Sequence, residues 1–103
     1  MRIKFYSQEK LKKELLEIIG QYLDLDKNKI FFFGSRVAGK KDERADIDLG
    51  IEGPSPISLE VMAQIKEKIE NLPTLYSIDM VDFQRTEKDF QKVAKKNIEL
   101  INP

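Results

Sequence analysis

The sequence predicts an α/β (α+β) domain, a small mixed β-sheet flanked by helices, in the order helix, strand, short helical turn, strand, helix, strand, helix. Three observations lead there. Helical apolar periodicity alternates with strand-like runs along the whole chain, the pattern of a sheet covered by helices. A length of 103 residues fits one domain, so a single unit over 1–103 is expected. No internal repeat or low-complexity stretch interrupts the alternation.

Ser7 is placed to cap a first helix over 7–24, because Leu11, Leu15, Ile18, Ile19 and Tyr22 recur at helical spacing while lysines and glutamates take the other face. Asp26 to Lys29 reads as a turn. Ile30 to Phe33 is a continuous apolar run short enough for a strand buried on both faces, and Gly34 ends it. Ser35 to Gly39 suits one helical turn, followed by the solvated run Lys40 to Arg44. Over 45–52, Ile47, Leu49 and Ile51 alternate with Asp46, Asp48, Gly50 and Glu52, a strand period of two.

Gly53-Pro54-Ser55-Pro56 breaks that strand. Leu59, Met62, Ile65, Ile69 and Leu72 then mark a helix over 57–71 that Pro73 closes. Residues 76–83 form a third strand. Thr86-Glu87-Lys88-Asp89 is read as a variant capping box opening a last helix through Phe90, Val93, Ala94 and Ile98. About ten residues link the first two strands, which allows a hairpin or a tight crossover, so strand directions stay open.

Composition removes whole classes of chemistry. The chain has no cysteine and no histidine, which excludes disulfides, thiol nucleophiles and imidazole acid/base work. Catalysis would rest on carboxylates, hydroxyls, Lys, Arg or a borrowed metal. Lys plus Arg and Asp plus Glu balance at 18 each, so no global field draws the chain to nucleic acid or anionic lipid. There is neither a signal-like N-terminus nor an apolar run long enough to span a bilayer. A cytoplasmic protein without membrane contact is the expectation.

Asp46 and Asp48 project from one strand face, with Cα atoms roughly 6.6 Å apart. Two carboxylates on one face suit a shared cation, and oxygen donors without His or Cys select Mg²⁺ or Mn²⁺ over zinc. Gly34-Ser35 lies where a strand gives way to a turn, so a phosphate could approach the backbone there, with Arg36 adding positive charge. Alone, a Gly-Ser after a strand is usually a turn, and an Asp-x-Asp is usually a solvated face. Their combination is more specific. Asp79 and Asp82 lie in the third strand, and periodicity alone does not choose between them as a third acid, since they point to opposite faces.

Gly34-Ser35, ten intervening residues, then Asp46-Ile47-Asp48 reproduces a Gly-Ser-x(10)-Asp-x-Asp signature. On it the sequence resembles the minimal nucleotidyltransferases of the DNA polymerase beta superfamily. The aromatic strand before Gly34-Ser35-Arg36, the later Ile78-Asp79-Met80-Val81-Asp82 and the Thr86-x-x-Asp89-Phe90 helix start carry the resemblance over nearly the whole chain. The resemblance implies the nucleotidyltransferase fold, with Gly34, Ser35 and Arg36 at the nucleotide triphosphate. It makes Asp46, Asp48 and Asp79 catalytic and the ligands of two Mg²⁺ ions, and Asp82 an end-of-strand polar residue.

By the same resemblance, NMP, from ATP, would pass to a hydroxyl on a helical partner of the HEPN or substrate-binding type, with this chain as antitoxin in a hetero-oligomer. Ala38 and Ala45 depart from the family pattern, where many members have a basic residue and a serine, without removing an acid. A second reading keeps the fold but has the chain neutralise its partner by binding alone. A third, an aminoglycoside-modifying or nucleic-acid-extending enzyme, meets the absence of a basic groove and of a substrate domain.

Overall fold

The computed structural model describes residues 7–34, 47–74 and 77–102. The expected helical turn at 35–39, the charged loop at 40–44 and the residues Ser35, Arg36 and Asp46 lie outside them.

Helix α1 spans Gln8–Ile19, and the Ser7 hydroxyl accepts from the Lys10 N–H at 3.3 Å, as an N-cap should. It ends five residues before the expected 24. Beyond Gly20 the Gln21 and Tyr22 N–H groups bond to carbonyls three residues back, and the Asp24 carboxylate takes the Asp26 N–H at 2.9 Å. Tyr22 still packs on the core from this turn, which is why apolar spacing alone overran the helix.

Strands β1 (Lys29–Phe33) and β2 (Ile47–Glu52) pair antiparallel, with Ile30 opposite Ile51 and Phe33 opposite Asp48. That resolves the direction the sequence left open. Helix α2 (Leu59–Glu70), capped by Ser58 on the Val61 N–H, returns the chain to β3 (Ile78–Asp82), which runs parallel to β2. Residues 83–85 form a 3₁₀ turn rather than extending the strand.

The last helix is shorter than expected. Helix α3 spans only Lys88–Ala94, and Ile98–Leu100 form a fourth strand, β4, antiparallel to β1. The capping box does not form: Glu87 is the N-cap without a side-chain bond, and the Thr86 hydroxyl donates to the Phe83 carbonyl at 2.7 Å. Three residues give too little alternation to stand out as a strand, and β4 owes its existence to pairing with the distant Phe31–Phe33 backbone. The sheet order is β3-β2-β1-β4.

The sheet separates two cores. On one face, Leu11, Leu15 and Ile19 of α1 and Ile65 and Ile69 of α2 bury against Ile30, Phe32, Ile47, Leu49 and Ile51. Each such side chain contributes about 1.5–3 kcal/mol. On the other face Phe31, Phe33 and Phe83 cluster edge-to-face, with centroids 4.9 Å apart for Phe31 and Phe83 and 5.1 Å for Phe33 and Phe83. Gly50 makes room for this cluster, because a Cβ there would run into the Phe31 and Phe83 rings.

Two polar devices tie the edges. Buried Asn102 accepts from the Ile30 N–H at 2.8 Å and donates to the Leu25 and Asn28 carbonyls at 2.9 and 2.7 Å. Glu99 on β4 meets Gln8 at 2.9 Å and Lys12 at 3.0 Å on α1. Burial by itself would push the Glu99 carboxyl up, but hydrogen bonds and charge from cationic neighbours, Lys12 among them, hold it below its ordinary value.

Candidate active site

The aromatic face of the sheet carries the acids. A row of side chains crosses it in register: Ile98 on β4, Phe33 on β1, Asp48 on β2 and Asp79 on β3. Neighbours in register project to the same face, and adjacent strands lie roughly 4.8 Å apart. The β2–β3 pairing thus brings Asp48 and Asp79 together across thirty residues of intervening chain, with Asp48 half-buried and Asp79 exposed.

Two carboxylates about 5 Å apart repel by roughly 1 kcal/mol in water and 3 kcal/mol at an effective dielectric of 20, and the exposure of Asp79 favours the lower figure. A hard divalent cation offsets that repulsion and matches an all-oxygen donor set. Among the described residues no cluster of three or more acids forms; Asp46 lies outside them.

Gly34 adds a constraint that composition did not reveal. It sits at the end of β1 with φ of 89°, and a Cβ there would collide with Asp48 Oδ2. A side chain would both strain the backbone and push the carboxylate aside. The glycine therefore leaves room for the Asp48 carboxylate as well as opening its own backbone.

Asp82 behaves differently from Asp79. It is buried, its Oδ2 accepting from the Ile57 N–H at 2.7 Å and its Oδ1 from the Gln84 N–H at 3.0 Å, with Arg85 Nε at 3.5 Å. Arg85 also donates to the Ile57 carbonyl at 2.9 Å. Asp82 thus fastens the end of β3 to the segment entering α2, on the face opposite Asp48.

Two features around the acids had no clear sequence signal. A pocket of about 380 Å³ opens between the end of α2 and β3, with Lys66, Ile69, Leu72 and Thr74 on one side and Ile78 and Asp79 on the other. Its size is that of a small-ligand cleft, and Asp79 is where it meets the acidic row. Phe90 of α3, 43% exposed, packs edge-on to Phe33 at 6.1 Å, beside Asp48's register partner.

Comparison with known proteins agrees with this architecture. A probable protein adenylyltransferase, MntA, from Haemophilus influenzae is 28% identical over 93 residues, covering 88% of this chain and 82% of that protein. Among solved structures, a toxin-antitoxin complex with AMP-PNP matches with a TM-score of 0.70 at 13% identity, over 87% of this chain and 71% of that one. The complex of a tri-AMPylated Shewanella oneidensis HEPN toxin with its MNT antitoxin matches equally, TM-score 0.70 at 13% identity, over 92% of this chain and 71% of the other. At that identity the structures speak to the fold. The family described as polymerase beta, nucleotidyltransferase matches residues 13–102, and this chain belongs to it.

Proposed function

We propose that this nucleotidyltransferase moves AMP from ATP to a hydroxyl on a helical HEPN-type partner protein, acting as the antitoxin of the pair in the cytoplasm. The observation that carries the reading is the in-register pair Asp48 and Asp79, with Gly34 turned against the Asp48 carboxylate. The probable protein adenylyltransferase and the toxin-antitoxin complexes among its relatives support the choice of nucleotide and partner.

In this mechanism the bare backbone at Gly34 admits the triphosphate, which the Ser35 hydroxyl and Arg36 guanidinium hold in place. Asp46, Asp48 and Asp79 would hold two Mg²⁺ ions, and Mn²⁺ suits the same oxygen donors. When bound, such ions neutralise charge on the attacking and leaving oxygens of an in-line displacement. Asp79, exposed at the rim, accepts the proton of the acceptor hydroxyl. The acceptor oxygen forms a bond to the α-phosphorus, the bond to the bridging oxygen breaks, and pyrophosphate leaves.

The test is intact-mass analysis of the purified helical protein encoded beside this chain, incubated with the chain, Mg²⁺ and ATP. One or more AMP additions are expected, and EDTA, Asp48→Ala or Asp79→Ala should prevent them. Additions that survive either substitution would refute the assigned acids. Full neutralisation of the partner by an Asp48→Asn chain that transfers nothing would establish the binding-only reading instead.

A further inference from the structure

The side chains left most exposed among the large apolar residues described include Phe90 and Val93 of α3 and Ile98 and Leu100 of β4, at 43, 66, 43 and 48%. Phe90 and Val93 stand one helical turn apart. Ile98 and Leu100 pair with Phe33 and Phe31, so they share the aromatic face, and Phe90 packs on Phe33. Phe90, Ile98 and Leu100 gather around Phe33 and Phe31, and with Val93 one turn along α3 their exposed surface amounts to on the order of a few hundred Å², the size at which exposed apolar surface marks an interface.

Charge selects what covers it. Residues 88–96 read KDFQKVAKK in a chain that is neutral as a whole; Lys95 is paired with Glu52, which leaves Lys88, Lys92 and Lys96 against Asp89 and the N-cap Glu87. A second copy would meet the patch through an isologous contact, setting lysine rim on lysine rim. A nucleic acid would welcome the lysines, but Phe90, the one ring of the patch, is already packed against Phe33 and Phe83, and Val93, Ile98 and Leu100 offer no further face for successive bases to stack on. The favoured occupant is a protein surface with an apolar centre and an acidic rim.

Position ties the patch to the chemistry. Ile98 lies in the same cross-strand row as Asp48, two strands or roughly 10 Å away. We propose that the apolar face of Phe90, Val93, Ile98 and Leu100, rimmed by Lys88, Lys92 and Lys96, seats an acid-rimmed helical face of the acceptor protein and so holds its hydroxyl over Asp48 and Asp79. This rests on the transfer reading above and adds the surface that selects the acceptor.

The experiment measures calorimetric affinity for the helical protein encoded beside this chain, alongside AMP transfer to it and ATP binding by the chain. Val93→Glu and the double variant Lys92→Glu/Lys96→Glu both alter exposed positions, and circular dichroism checks their fold. Each is expected to weaken partner affinity at least about tenfold and to slow transfer, with ATP binding unchanged. Leu59→Glu, 71% exposed on α2, is expected to leave all three readouts as in the wild type. Added salt should weaken the wild type more than the double variant.

Wild-type affinity in both patch variants would overturn the proposal. So would a self-association of the chain alone, or a binding of single-stranded RNA, that Val93→Glu abolishes. A wild type that binds the partner through the patch yet adds no AMP refutes the transfer reading and leaves the docking face standing. Patch variants that transfer as well as wild type refute the docking face alone.

Discussion

Replacing Asp82 and Asp79 by alanine, one at a time, separates two acids that the sequence presents three residues apart. In Asp82→Ala the buried Ile57 N–H loses its 2.7 Å acceptor, which costs about 1–3 kcal/mol when no water reaches it. The Gln84 N–H, partly exposed, loses a 3.0 Å bond and recovers most of it from solvent, leaving a cost of about 0.5–1 kcal/mol. The Arg85 contact adds little, because that side chain is 46% exposed. The sum is about 1.5–4 kcal/mol, which for a domain of this length lowers Tm by roughly 6–30 °C. Asp79→Ala, at an exposed position, should stay within about 0.5 kcal/mol of wild type while AMP transfer disappears. Thermal melts followed by circular dichroism, with intact-mass transfer assays below both melting points, read the two effects separately. An Asp82→Ala chain that melts within a few degrees of wild type but transfers nothing would make Asp82 the third acid. It would thereby refute the assignment of Asp79.

Gly34→Ala should abolish or strongly slow transfer, since it displaces Asp48 Oδ2, and should cost about 1–3 kcal/mol from the positive φ; transfer rates and urea midpoints check both. Gly50→Val should overpack the Phe31 and Phe83 rings and destabilise by about 1–3 kcal/mol, visible as a lower urea midpoint. Glu99→Gln removes a carboxyl whose folded pKa is lowered, so the stability that its charge contributes is present above its ordinary value of 4.5 and is lost as pH falls through the lowered one. Melts of both proteins should therefore differ near neutral pH and converge in acid.

The candidate site could be read as a sequence pattern because its residues are local. Gly34, Ser35, Asp46 and Asp48 lie within one short segment, and their spacing alone identifies a family. The helix caps at Ser7 and Ser58 and the burial of Ile47, Leu49 and Ile51 likewise follow from side-chain chemistry and period. Helix lengths did not: Tyr22 and Ile98 keep apolar spacing past the points where α1 and α3 stop, since a turn or a strand can bury the same side chains.

From sequence alone, then, came the α/β alternation, the exclusion of thiol and imidazole chemistry, and the acids in question. The tertiary structure decided which of two nearby aspartates faces which side, because strand pairing sets a register that residues separated in sequence cannot announce. It placed Asp79 beside Asp48, tied Asp82 to Ile57, and made Gly34 the neighbour of a carboxylate. It also created β4 and left Phe90, Val93, Ile98 and Leu100 exposed. Those features depend on contacts between distant backbone segments, whose formation rests on the shared burial of both sheet faces.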